Sequence, residues 1–218
     1  MTELRIGLVI NNDLVRSGRN MVITSQPDMR VVLEESDAQV AITRAPDYLV
    51  DVLVVAHSQH GFTGSGFVDK LSSALSASGN TASILVLAPF ATEQARWEAI
   101  QAGAADLVGL EASGAVFLKQ VRSIAKPDYL ADPEFIRSFG SKQPTLTANR
   151  ELEAAIGSLT KDQRTQLLLA LSGDSDHEIA KKFDISKLRV RQLVDSLSQI
   201  AGVRTRSQLL ILLRDFKA

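Results

Sequence analysis

The sequence predicts two structural units: an α/β unit of five βα repeats forming a doubly wound parallel sheet, and an all-α unit of four helices. Up to residue 125, short apolar runs rich in Val, Ile and Leu alternate with helical patterns, which is typical of βαβ units. After residue 147, apolar residues recur at three- and four-residue steps, which favours helices alone. With 218 residues, 45% of them hydrophobic, the chain is long enough for two hydrophobic cores.

Five short apolar segments are predicted to be the strands of the sheet. Nearly all their residues are apolar, which is typical of parallel strands that are buried on both faces. Helical segments of about ten residues separate them, and this spacing favours right-handed crossovers. The predicted strands are Leu4–Ile10, Met29–Leu33, Asp51–Ala56, Ser83–Ala88 and Asp106–Gly109.

Three helices of the α/β unit are predicted from the residues at their ends. Leu14–Ser25 has Asp13 as its predicted N-cap, because a carboxylate there can accept a hydrogen bond from a free backbone N–H. Thr92–Ala102 is followed by Gly103, a residue type that commonly ends helices. The last helix of the unit is predicted at Ala115–Ala125.

Composition predicts where the two units meet. The α/β unit is assigned residues 1–125, a linker is assigned residues 126–147, and the all-α unit is assigned residues 148–218. Pro127 and other turn-forming residues favour the linker, which has room for one short helix near Pro133–Phe139.

Charge differs between the two parts of the chain. Residues 1–149 carry 12 basic and 16 acidic side chains, whereas residues 150–218 carry 12 and 9, so an acidic part precedes a mildly basic one. This asymmetry is expected when a separate module binds nucleic acid.

The second unit contains a predicted helix-turn-helix. Asp176–Phe183 forms two turns of helix, Asp184–Ile185 a tight turn, and Ser186 the N-cap of a second helix, Lys187–Ile200. Val190, Val194 and Leu197 are predicted to face the core, and Lys187, Arg189, Arg191 and Gln192 the other side. Long donors near the start of a recognition helix can reach phosphates and base edges. The alternative is that they are solvated surface side chains.

This segment resembles the DNA-binding domain of LuxR-type regulators of the NarL/FixJ class. The matching residues are Leu159–Thr160, Gly173, Glu178–Ile179–Ala180, Ile185–Ser186, Val190, Gly202–Val203–Arg204 and Arg206. The resemblance implies a DNA-facing set of Ser186, Lys187, Arg189, Val190, Arg191, Gln192 and Arg204. The departures from the family pattern are Gln163, Arg189, Leu193 and Ile200–Ala201. Because Arg189 replaces a threonine and Ile200 a phosphate-contacting lysine, the family's target sequence does not transfer.

The α/β unit resembles the receiver domain of two-component response regulators. The matching residues are Arg16-Ser17-Gly18, Gly61, Gly64 and Gly103-Ala104. In a working receiver, carboxylates at the strand ends hold Mg²⁺, and one of them accepts a phosphoryl group. A lysine and a hydroxyl stabilise the added charge.

The residue types that carry this chemistry in a working receiver are absent from the matching positions of this chain. The resemblance places the acidic pair at Ile10 and Asn11, the phosphoacceptor at Ala56, the hydroxyl at Ala88 and the lysine at Leu110. The family's switch aromatic is likewise absent, since Leu107 stands there. Because alanine cannot accept a phosphoryl group, we expect a degenerate phosphorylation site, no Mg²⁺ and no cofactor.

Two alternatives remain for the edge of the sheet where this chemistry stood. Ligands of open α/β sheets bind beyond the carboxyl ends of the strands, so a small molecule is one occupant. The other alternative is a packed cleft that serves as a scaffold for dimerisation. The predicted rim is Asn11, Asn12, Asp13, His57, Ser58, His60, Pro89 and Phe90. The two histidines are expected to be loop residues rather than metal ligands, and the loop Gly61–Gly66 lacks the lysine of a phosphate loop.

Composition and motifs exclude several classes of function. There is no cysteine for disulfides, thiolate metal sites or nucleophilic catalysis. No apolar run approaches the ~20 residues that span a bilayer, and the first residues do not form a signal peptide, so we expect a cytoplasmic protein that is not an enzyme. The partners expected are double-stranded DNA and a second copy of the chain, joined through the receiver-like half or the last helix, Thr205–Phe216. The alternative is an interaction module that forms heterodimers with an intact regulator and binds DNA poorly alone.

Overall fold

The computed structural model describes residues 3–59, 61–62, 65–143 and 150–213. The chain divides into two compact units, Met1–Pro127 and Asp128–Ala218. His60, Gly64, residues 144–149 and the end of the predicted last helix lie outside the described residues. Within the described part, no helix is both long and apolar enough to cross a membrane.

The first unit is built on a five-stranded parallel sheet in the order β2-β1-β3-β4-β5. This is a doubly wound order, so the predicted fold class is confirmed. The strands are β1 (Leu4–Val9), β2 (Met29–Glu35), β3 (Val52–Ala56), β4 (Ser83–Ala88) and β5 (Asp106–Gly109). β2 runs two residues beyond its predicted end, because an edge strand accommodates the polar Glu34 and Glu35 that a central strand would not.

Helices cover the sheet. They are α1 (Asp13–Thr24), α2 (Ala38–Arg44), α3 (Gly66–Ala77), α4 (Glu93–Gln101) and α5 (Gly114–Ile124), with a 3₁₀ turn at Ala45–Asp47. The prediction of Asp13 as the N-cap of α1 was wrong. The cap is Asn12, whose Oδ1 accepts from the Val15 N–H at 3.0 Å, and Asp13 is the first helical residue. An Asn and an Asp in succession both suit an N-cap, so sequence could not separate them.

The second unit consists of helices in the part of the chain that the structure describes. They are α6 (Pro133–Gly140), α7 (Arg150–Gly157), α8 (Lys161–Ala170), α9 (Asp176–Phe183), α10 (Lys187–Ala201) and α11 (Arg206–Leu212). Helices α8 to α11 are the four helices predicted for the helix-turn-helix domain, and α10 contacts α7, α8, α9 and α11. α10 is thereby held from several sides.

The segment assigned to the linker belongs in part to the second unit. Helix α6 packs against α11 and buries Phe135 and Ile136. The Ala131 N–H donates to Ser207 Oγ at 2.9 Å, in a buried position just before α6. A short amphipathic helix between prolines has the composition of a linker, and only its packing against α11 distinguishes the two.

Two glycines of the first unit give a matched test of its packing. A Cβ at Gly7, on β1, would lie 2.5 Å from the side chain of the fully buried Leu53, whereas one at Gly18, on α1, would meet nothing within 4 Å. We expect Gly7→Ala to lower the free energy of unfolding by ~1–3 kcal/mol through overpacking. Gly18→Ala should raise it by ~0.5–1 kcal/mol, because alanine favours a helix interior. Urea unfolding of the full chain measures both, and equal effects would contradict the packing of β1.

Candidate functional site

The turn between α9 and α10 is set by local hydrogen bonds. Ser175 and Glu178 form a capping box at the start of α9, and their hydrogen bonds hold the pKa of the Glu178 carboxyl below its ordinary value. α9 ends at Asp184, which has a left-handed backbone (φ 52°, ψ 48°) that Asp adopts more readily than most residues. The Ile185 N–H then donates back to the Ala180 carbonyl at 3.0 Å. These bonds fix the direction in which α10 leaves the turn.

Helix α10 begins after its predicted N-cap, Ser186, and buries the three residues that were predicted to face the core. Ser186 Oγ accepts from the Arg189 N–H at 3.2 Å. Val190, Val194 and Leu197 are at most 3% exposed, so they fasten one face of the helix to the core. Val190 belongs to the predicted DNA-facing set, but its side chain is fully buried, and its place is in the support of the helix.

The opposite face of α10 presents polar side chains to solvent. Ser186, Lys187, Arg189 and Gln192 are all exposed, as predicted for a DNA-facing surface. Leu188 is also exposed, with 61% of its surface accessible, although the sequence reasoning did not include it. It lies one helical turn from Gln192, and this i, i+4 spacing was the signal that could have identified it.

Two arginines of the predicted set are less accessible. Arg191 is half-buried, and its Nε lies 3.7 Å from a carboxylate oxygen of Asp176. Arg204 is partly buried before α11, and burial lowers its pKa to about 10, so it keeps its charge at neutral pH. The structure thus separates the predicted cations into an exposed group on α10 and two that are partly enclosed by the fold.

The five residues predicted to mark a degenerate phosphorylation site include no acid. Ile10 and Ala88 are buried, Asn11 and Ala56 partly buried, and Leu110 exposed at 36%. They lie at or just beyond the carboxyl ends of β1, β3, β4 and β5, where a parallel sheet binds ligands. Within the described part of the chain, no group of three or more His, Asp or Glu side chains is placed to hold a metal ion.

Side chains of the unit itself bind the backbone carbonyls at this edge. Arg16 donates to the Ile10 carbonyl at 2.7 Å and pairs with Asp13, and Gln59 donates to the Val9 carbonyl at 2.9 Å. Arg19 donates to the Leu110 carbonyl at 3.0 Å, and burial lowers its pKa from the ordinary value. Because internal donors occupy the edge, the geometry favours the packed cleft over the small-molecule site.

The predicted rim of the cleft is engaged only in part, and the buried Nε2 of His57 has no hydrogen-bond partner among the described residues. Asn12 caps α1, and the backbone N–H of His57 donates to the Leu87 carbonyl at 2.8 Å, which extends the pairing of β3 with β4. Ser58, Pro89 and Phe90 are exposed, Phe90 at 79%. An exposed phenylalanine beside Ala88 offers an apolar contact rather than a hydrogen-bonding one.

Known proteins match this chain across both of its units. The chain is 23% identical over 214 residues to the DNA-binding transcriptional activator DevR/DosR of Mycobacterium tuberculosis, covering 98% of this chain and 95% of that one. It is 25% identical over 214 residues to the transcriptional regulatory protein YxjL of Bacillus subtilis, covering 96% and 94%. Both relatives are response regulators of the NarL/LuxR class, and the chain resembles them over nearly its full length. No protein-family model matches it.

Solved structures of LuxR-type response regulators share the fold. A LuxR-family two-component response regulator from Aurantimonas covers 65% of this chain and 98% of its own, with a TM-score of 0.55 and 22% identity. RcsB of Salmonella typhimurium covers 98% of both chains, with a TM-score of 0.53 and 17% identity. Both curated relatives are transcription regulators, and DevR/DosR is a DNA-binding activator.

Substitution of Ser186 tests the contribution of the α10 N-cap to stability. Ser186→Ala should lower the free energy of unfolding by ~1 kcal/mol, because the Arg189 N–H loses its acceptor. Ser186→Asn keeps a capping oxygen and should leave stability within ~0.5 kcal/mol of the parent. Thermal unfolding followed by circular dichroism measures both variants. If the two substitutions cost the same, the cap does not contribute to the stability of α10.

Proposed function

We propose that this protein is a sequence-specific DNA-binding transcription regulator that acts as a dimer and does not use aspartyl phosphorylation. One observation carries the proposal: α10 exposes its donors while Ala56 stands at the phosphoacceptor position of the receiver-like unit. The exposed face of α10 can serve as a recognition surface. The receiver-like unit lacks the residue through which phosphorylation would control that surface.

The exposed face of α10 has the chemistry for reading bases. Arginine can donate two hydrogen bonds to guanine, and glutamine can donate and accept at adenine. Arg189 and Gln192 lie three residues apart and so share one face of the helix. Leu188, beside them, offers the apolar contact that a thymine methyl accepts. The LuxR-type homology supports placing this face against the major groove.

The receiver-like unit supports a mode of action without phosphorylation. Asp106, at the start of β5, is buried and receives hydrogen bonds from Arg96 at 2.7 and 3.0 Å and from Gln120 at 2.8 Å. These bonds tie α4 and α5 to β5. Arg16, Arg19 and Gln59 likewise bind carbonyls at the edge of the sheet, and these contacts form without an added phosphoryl group.

The dimer contact is proposed on the receiver-like unit. Leu209, Leu210 and Ile211 of α11 are at most 2% exposed, so in the described part of that helix they serve the core. On α1, by contrast, Leu14 and Met21 are 83% and 73% exposed and lie on one face, seven residues apart. A second copy of this surface would cover these two side chains. Light scattering of the parent and of a Leu14→Glu/Met21→Glu variant measures whether the substitutions abolish the dimer.

DNA binding should be indifferent to phosphodonors. We expect the full chain to bind a fragment selected from its own genome with the same Kd before and after incubation with Mg²⁺ and acetyl phosphate, because residue 56 cannot accept the group. Fluorescence anisotropy measures the Kd, and intact mass spectrometry checks for an added phosphoryl group. A response regulator with an intact acceptor, treated in parallel, shows that the donor is active. A mass gain with tighter binding would contradict the proposal.

Removing the exposed donors should reduce selectivity. We expect Arg189→Ala and Gln192→Ala each to cost ~1–3 kcal/mol of discrimination between the selected fragment and a scrambled one. Lys119→Ala, which removes an exposed charge from α5, is the control and should leave that discrimination unchanged. Anisotropy titrations with both fragments measure it. Equal losses in all three variants would show that α10 does not read bases.

One observation favours a second function, that of a heterodimerising interaction module. Ile200, 37% exposed, stands where the family carries a phosphate-contacting lysine, and we expect the loss of that cation to weaken DNA binding by the chain alone. Failure of the pure protein to select any genomic fragment, with selection restored by a second regulator, would favour this function.

A further inference from the structure

A buried carboxylate connects the three last helices of the second unit. Asp176, the first residue of α9, has a side chain that is only 3% exposed. Its Oδ1 accepts a hydrogen bond of 2.7 Å from Arg206 of α11, and its Oδ2 lies 3.7 Å from Nε of Arg191 on α10. Buried charges are stable only when they are paired, so this carboxylate requires both neighbours.

The two arginines that lie beside Asp176 differ in how deeply they are buried. Arg206 is 4% exposed and lies wholly within the cluster, whereas Arg191 is 40% exposed. The Nε of Arg191 is buried and turned to the carboxylate without forming a hydrogen bond. Arg191 is therefore paired with Asp176 through its Nε, while the rest of its side chain is partly exposed.

A second carboxylate completes the surroundings of this guanidinium. Asp195 lies one turn further along α10, and partial burial raises its pKa from the ordinary value, although Arg191 and Arg206 act to lower it. Asp195 is therefore within the electrostatic influence of both guanidinium groups. The outer end of Arg191 remains accessible, because its side chain is only partly buried.

Position on α10 separates Arg191 from the residues proposed to read bases. At about 100° per residue, Arg189 and Gln192 share the exposed face, and Arg191 lies on the flank that meets the start of α9. In a helix-turn-helix, the first helix crosses the DNA backbone while the second enters the groove. A cation held at the start of the first helix is therefore near phosphate rather than base edges.

We propose that Asp176 positions Arg191 to clamp a DNA phosphate, so that Arg191 supplies affinity while Arg189 and Gln192 supply sequence preference. The inference rests on the proposed DNA binding and adds a division of roles among its cations. A guanidinium binds phosphate through two parallel hydrogen bonds, and holding its Nε side in place orients the other side for such a contact.

The first test separates phosphate contact from base reading. For Arg191→Ala in the full chain, we expect the slope of log affinity against log salt to fall by about 0.9, as for one lost phosphate contact. Affinity for the selected and the scrambled fragment should fall by the same factor. Arg189→Ala is the matched variant, and its selectivity should fall by about tenfold or more. A loss of selectivity in Arg191→Ala would overturn the proposal.

The second test asks whether Asp176 is the positioning residue. In a double-mutant cycle with Asp176→Asn, the effect of Arg191→Ala on affinity should shrink by about threefold or more, since an unheld arginine contributes less. Strict additivity would show that Asp176 is only structural.

If Asp176→Asn fails to fold, a variant that leaves the buried Asp176–Arg206 pair intact provides the test. Arg191→Lys retains the charge but lacks Nε, so its salt slope should match that of the parent while its affinity falls by about threefold or more. Parent-like affinity in this variant would contradict positioning through Nε. A parent protein that selects no fragment would instead count against DNA binding itself, so the two failures are distinguishable.

Discussion

The backbone carbonyls at the carboxyl edge of the sheet must find donors, and this requirement shapes the receiver-like unit. Buried polar groups that lack partners are costly. Here Arg16, Arg19 and Gln59 supply the donors from within the unit, at 2.7 to 3.0 Å. The same edge carries charge chemistry in working receivers. In this chain internal donors bind the carbonyls of that edge, although Ala56 offers no acceptor for a phosphoryl group.

A second constraint acts in the helix-turn-helix, where charge is buried between helices. Asp176 and Arg206 are almost fully enclosed, and removing the carboxylate would leave the Arg206 guanidinium buried without its partner. Arg191 belongs to the same cluster but reaches its surface. The packing of α9, α10 and α11 is thereby linked to a cation on the flank of the recognition helix. Fold stability and the proposed DNA contact share one group of side chains.

Much of the fold was predictable because its signals are local. The five strands followed from apolar runs, and the start of α10 followed from Ser186 and the buried stripe that begins at Val190. The predictions that differed from the structure depend on packing. β2 extends to Glu35 because it lies at the edge of the sheet, and α6 belongs to the second unit because α11 covers it. Neither neighbour is identifiable from the segment alone.

The sequence by itself determined that residue 56 cannot accept a phosphoryl group, since alanine has no acceptor atom in any conformation. It also determined that donors cluster at the start of α10. Only the tertiary structure decided which arginines of the second unit are available. Arg189, Arg191 and Arg206 are the same residue type, yet one is exposed, one is half-enclosed and one is buried. The difference arises because Asp176 lies 30 residues from Arg206 along the chain and meets it only when three helices pack together.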